Sequence, residues 1–299
     1  MTDKRALVLG CGYVGLVLAR ELWEQGFEVI GTTRTPERFR EIEATGASPA
    51  LVDVTDPATL RPLLDFQADQ VFDLVPPQRI DDARYTAWGT RNVASAFVGR
   101  PLESLVYLSS TSVYGRRSGE WTDEATQTRP ISPVGQARLE CETIYLDAFQ
   151  HDAVPARICR VPGIYGPGRT LRQRLETGAY RRMDDEKLWV SRIHVEDLAA
   201  GLIAAASCGK PGEIYLLCDD EPTTGQEYAE LTASLLSLPM PPTVSREDIR
   251  QELSQDGFER RISSRRCRNR RMREELGVQL RYPTVREGVP AALEAEGAL

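Results

Sequence analysis

The stretch ALVLGCGYVGLVLAREL, residues 6–22, decides the fold. A short apolar run ends in Gly10-Cys11-Gly12-Tyr13-Val14-Gly15, and apolar residues then recur at helical spacing. This is G-x-G-x-x-G placed between a predicted strand and a predicted helix over 13–25, and the placement gives each glycine a separate task. Gly10 permits a tight turn, Gly12 lets the backbone approach a pyrophosphate, and Gly15 lets helix and strand pack closely. The helix N-terminus adds free N–H groups and the positive end of its dipole. Gly10, Gly12, Tyr13, Val14 and Gly15 are therefore the expected contacts of a dinucleotide.

Outward from this unit the chain alternates strands and helices. EVIGTT and PALVD read as the second and third strands, with further strands at 70–75, 104–109 and 156–160, about six in all. Thr35-Pro36 and Asp56-Pro57 each place a capping side chain before a proline at the first position of a helix. The expected architecture is α/β, a Rossmann doubly wound parallel sheet, with a small C-terminal α/β lobe. The Rossmann domain is assigned to 1–165 plus about 191–218. The lobe, the expected substrate-binding part, is assigned to about 166–190 plus 219–299.

At the end of the second strand, where a carboxylate would hold the adenosine ribose of NAD, the chain has Gly31-Thr32-Thr33-Arg34. Arg34, with Arg38 one helical turn on, suits a ribose 2′-phosphate, so NADP is preferred and NAD stays open. The alternative is that both arginines are solvated charges at a helix start. Asp53 and Val54 end the third strand near the expected adenine, and Asp53 equally suits the cap of the next helix. Pro76-Pro77 follow the fourth strand, where sheets of this type face the nicotinamide or simply stiffen a loop.

Composition bounds the rest. The 299 residues are 41% hydrophobic and 27% charged, as in an ordinary globular protein. A formal net charge of −7 and only 7% aromatic residues argue against nucleic acid and anionic membranes as partners. The start MTDKRALVLG lacks the pattern of a signal peptide, and no apolar run approaches a bilayer span, so a cytoplasmic location is expected. Six cysteines without a CxxC pair suit reduced thiols, and two histidines leave little for a metal site. Eight arginines over 260–273 suit either a diphosphate or a solvated, glutamate-flanked face.

Several stretches together resemble the extended short-chain dehydrogenase/reductases, the NAD(P)-dependent epimerase/dehydratase group. They are LGCGYVG, GTRN (89–92), VYLSSTSVYG (106–115), RVPGIYGPGR (160–169), RIHVEDLAAG (192–201) and RRMREELGVQLRYPTVREGV near the C-terminus. The resemblance implies a small-molecule substrate, a nucleotide sugar among the candidates, with a homodimer as one open assembly state. It makes Ser110 the residue that holds the reacting hydroxyl or carbonyl and places Pro162 at the cofactor.

One departure is specific. The catalytic helix of the family carries Y-x-x-x-K after Ser-Pro, whereas this chain reads Ser132-Pro133-Val134-Gly135-Gln136-Ala137-Arg138. It is similar in this respect to an atypical subgroup without the tyrosine. Val134 cannot donate or accept a proton, and Arg138 can hydrogen-bond the nicotinamide ribose but does not exchange protons near neutral pH. Tyr165 and Ser112 are the open substitutes, while Tyr114 and His194 read better as structural residues.

Overall fold

The computed structural model describes residues 4–81, 84–115, 118–183 and 187–299. Within the charged stretch RRMDDEKLW, residues 184–186 lie outside the described residues. The main sheet has seven strands: β1 Arg5–Leu9, β2 Glu28–Thr33, β3 Ser48–Leu51, β4 Gln70–Asp73, β5 Ser104–Ser110, β6 Ala156–Val161 and β7 Ile214–Leu216. Their order is β7-β6-β5-β4-β1-β2-β3, and every neighbouring pair is parallel. β7, absent from the six strands read above, is three residues long, below the length at which a run of apolar residues separates strand from helix.

Both faces of the sheet are covered, as a parallel sheet requires. Alternation along β1 sends Ala6 and Val8 to one side, against Leu18 and Leu22 of α1 (Tyr13–Glu24) and Leu198 and Leu202 of a helix at Val195–Cys208. Leu7 and Leu9 face the other side, against helices at Pro57–Leu64, Trp88–Ala96 and Pro133–Asp152. Asp56 caps the first of these, its carboxylate accepting from the Ala58 N–H at 2.9 Å. Thr35 does not act as a side-chain cap. Pro36 opens a single 3-10 turn, Pro36–Arg38, and the Thr35 hydroxyl lies 3.3 Å from that of Thr33.

Strand order reverses between β1 and β4, so the loops at their carboxyl ends part and leave a crevice. A smaller sheet stands beside it, ordered Thr223–Thr224, Trp189–Val190, Ser264–Cys267, Ser118–Thr122. Its last strand comes from the chain between β5 and the helix Pro133–Asp152. Tyr165, Tyr228, Val285, Val289 and Leu293 form a separate apolar cluster there.

Candidate dinucleotide and substrate site

The turn after β1 is held by β2. The Gly10 N–H donates to the Thr32 hydroxyl at 3.0 Å and the Cys11 N–H to the Thr32 carbonyl at 2.8 Å. Gly10 has φ +87°, which favours glycine. A Cβ on Gly15 would stand 2.6 Å from the Gly10 carbonyl oxygen, so helix and turn are in direct contact. Gly12 is the opposite case, because a Cβ there would meet nothing within 4 Å. It lines a cavity of about 710 Å³ together with Gly10, Arg34, Asp53, Pro76 and Val134. The open backbone at Gly12 and the cation at Arg34 fit a dinucleotide phosphate. Val14 belongs to the core, and the Tyr13 ring lies under the Arg169 guanidinium, 4.6 Å from its carbon, so both side chains are turned to packing.

At the adenosine end Arg34 is exposed and makes no hydrogen bond to another described residue. Arg38 is paired with Glu41 at 2.7 Å. The Asp53 carboxylate accepts from the hydroxyl and the N–H of Thr55, at 2.7 and 2.9 Å, and these bonds hold its pKa below the usual range. It therefore fixes its own loop and leaves the helix cap to Asp56. Val54, Pro76 and Pro77 line the cavity. The GTRN stretch braces this wall: Asn92 donates to the carbonyls of Val54 at 2.9 Å and Thr55 at 3.2 Å, and a Cβ on Gly89 would stand 2.5 Å from the Val54 side chain.

Ser110 terminates β5 outside the cavity lining, and its hydroxyl oxygen accepts from the Ser112 N–H at 3.2 Å. At the other end Val134 lines the cavity from the first turn of the helix Pro133–Asp152, which Ser132 caps by accepting from the Gly135 N–H at 3.2 Å. Arg138 turns inward. It donates to the Leu108 carbonyl at 2.7 Å and the Tyr107 hydroxyl at 3.2 Å and does not line the cavity. Beneath it the Tyr145 hydroxyl donates to Asp73 at 2.5 Å, and burial pushes the Asp73 carboxyl up to about 6. A second buried network joins Glu142 to Arg160 at 2.7 Å, with Ser109 donating to Glu142 and Arg160 donating to Tyr114.

Tyr165 is not at the cavity. It is 2% exposed, its hydroxyl donates to the Thr284 carbonyl at 3.3 Å, and burial pushes its pKa far up, so a proton-donor role has no geometric support. Pro162 follows β6 and is half-buried outside the cavity lining. His194 caps its helix by accepting from the Glu196 N–H at 3.3 Å, and burial lowers its pKa to about 4. The arginine run forms no single face, since strand alternation and then a helix send successive side chains apart. Arg265 donates to the Thr111 carbonyl and Arg266 to that of Gly119, while Arg271 binds the Ile214 carbonyl and Glu213. Asp73, Glu142 and Tyr145 were missed in the sequence, where their only signal is a polar residue at an apolar-facing position, while Asn92 and Arg160 lay inside quoted stretches with no role given to them.

The model of a family described as NAD dependent epimerase/dehydratase matches residues 6–218. Protein YeeZ of Escherichia coli strain K12 is 27% identical over 287 residues, spanning 94% of this chain and 97% of its own. A functionally unknown conserved protein from Silicibacter pomeroyi DSS superposes with a TM-score of 0.83 at 33% identity, covering 98% of this chain and 99% of that one. A UDP-glucose 4-epimerase from Thermotoga maritima, solved with UDP-glucose, shares the fold at a TM-score of 0.83 and 17% identity, with 97% of each chain covered.

Proposed function

The chain belongs to the NAD dependent epimerase/dehydratase family, and from that premise we propose that it is an NADP(H)-dependent oxidoreductase or epimerase. Its substrate is a small hydroxy or carbonyl compound, with nucleotide sugars the first class to try because a neighbour of the same fold was solved with UDP-glucose. The observation that carries the reading is the single cavity that runs from the unengaged Arg34 to Val134. In this reading Gly12 and the N-terminus of α1 hold the pyrophosphate, and Arg34 and Arg38 hold the 2′-phosphate. A bound nicotinamide supplies hydride chemistry.

Ser110 then has one task. Its oxygen already accepts from Ser112, which leaves its own O–H free to donate to a substrate oxygen. Val134 moves no proton, so the proton reaches the product from solvent or from the substrate itself. No helix of the described residues is long and apolar enough to cross a membrane.

A second reading, an NADP(H)-binding module that reports the cofactor's redox state, is favoured by the inward turn of Arg138. One experiment separates the two. The protein is incubated with NADPH deuterated on either face of C4 and a metabolite extract, and products are screened by mass spectrometry. Deuterated product that falls about a hundredfold in Ser110→Ala establishes the enzyme. A product epimerised without label marks an enzyme that returns the hydride internally. Unlabelled, unchanged metabolites with intact NADPH binding select the module.

A further inference from the structure

A second groove of about 560 Å³ opens between the loop after Tyr165 and the end of the helix Val285–Ala295, and it shares no lining residue with the dinucleotide cavity. Its wall carries Arg169, Arg172 and Arg174 against two carboxylates, Glu176 and Glu296. The carboxylates are already engaged. Glu296 accepts from the Gly168 N–H at 2.8 Å and from the Thr170 hydroxyl at 3.2 Å, and it pairs with Arg172 at 3.5 Å. Glu176 accepts from Arg172 at 2.9 Å.

Arg169 and Arg174 are exposed, and their guanidinium groups make no hydrogen bond or ion pair with another described residue. Each lies against an aromatic ring instead, Arg169 at 4.6 Å from the Tyr13 centroid and Arg174 at 4.9 Å from that of Tyr180. An aromatic ring takes the place of no oxygen acceptor, so the five N–H donors of each guanidinium have no protein oxygen to bond. The rings therefore restrict both side chains and leave their donors available, which lowers the entropy lost when an anion is gripped. The lining holds one more positive than negative charge, and its volume falls in the range of small-molecule sites.

We propose that this groove is a second anion site, in which Arg169 and Arg174 hold a phosphate ester or another compact oxyanion. It takes a ligand separate from the dinucleotide and does not depend on the redox reading above. The planar donors favour phosphate oxygens over a spherical halide.

Calorimetric titration of the full chain with inorganic pyrophosphate tests this, with Gly12→Val used to remove any signal from the dinucleotide cradle. Binding is expected to persist in Gly12→Val and to weaken at least about tenfold in Arg174→Ala and further in the Arg169→Ala/Arg174→Ala double variant. Circular dichroism and retained NADPH binding by Arg174→Ala verify that the variant is folded. Binding lost in Gly12→Val and unchanged in the arginine variants would assign all of it to the cradle and overturn the proposal. Binding abolished when chloride replaces a bulky organic anion at equal ionic strength would show that the arginines hold a halide as readily as an oxyanion, and would overturn it as well.

Discussion

At the β2 end of the cavity Gly12 faces open space and Arg34 keeps its donors unengaged. At the β5 end the polar groups bond to one another: Arg138 to Leu108 and Tyr107, Tyr145 to Asp73, and Glu142 to Arg160. The difference separates two uses of polarity. Groups left available at a cavity wall can bind a ligand at little cost to the fold. Groups satisfied inside hold β4, β5, β6 and the helix Pro133–Asp152 in register, and disturbing them costs stability before it costs function. The position that would carry a tyrosine, Val134, lies where the first regime gives way to the second.

Two substitutions set out to break this contrast. Gly12→Val fills space that no protein atom uses, so NADPH binding should fall by at least about a hundredfold, about 2.7 kcal/mol. Thermal unfolding should stay within about 2 °C of the parent. Retained binding would remove the pyrophosphate from this turn, and a large loss of stability would place Gly12 with the packing glycines instead. Glu142→Ala should do the reverse. Arg160, 4% exposed, would be left without its counterion, at a cost of about 3–5 kcal/mol in urea unfolding. Replacing both partners, Glu142→Ala with Arg160→Met, should recover much of that loss. A single variant that unfolds like the parent would show the pair to be idle.

The two ends were unequally legible. The cradle could be read because a glycine motif between a strand and a helix is a local pattern, and Gly10 and Gly15 occupy the geometry that the pattern requires. The helix Pro133–Asp152 was legible in its start, from Ser132-Pro133, and its spacing puts Val134, Arg138, Cys141 and Tyr145 on one face. What Arg138 would meet was not legible, because the Leu108 carbonyl is thirty residues away in the chain. Tyr165 misled for the same reason. It follows a strand at the correct end of the sheet, but its hydroxyl faces Thr284, 119 residues later. Asn92 sat inside a recognisable motif, and only the fold shows that it braces the loop at Val54.

The smallest expected effect sharpens the contrast most, because it tests whether an unengaged group at the cavity wall has a specific ligand. Arg34→Ala removes a guanidinium that no described residue holds, so folding stability should barely change. If Arg34 meets the 2′-phosphate, the loss falls on NADPH alone, about tenfold for a solvent-exposed charge-assisted contact, while NADH shifts less than about twofold. The ratio of the two affinities cancels any general damage to the site. Salt supplies a second axis: raising ionic strength from about 0.05 to 0.5 M should weaken NADPH in the parent and narrow its gap to Arg34→Ala, because an exposed charge pair is screened over about 10 Å at 0.1 M. Equal losses for both cofactors would make Arg34 a general contributor to the field of the cavity and return the cofactor choice to Arg38. That residue is already paired with Glu41, so its phosphate contact would require Glu41 to release it.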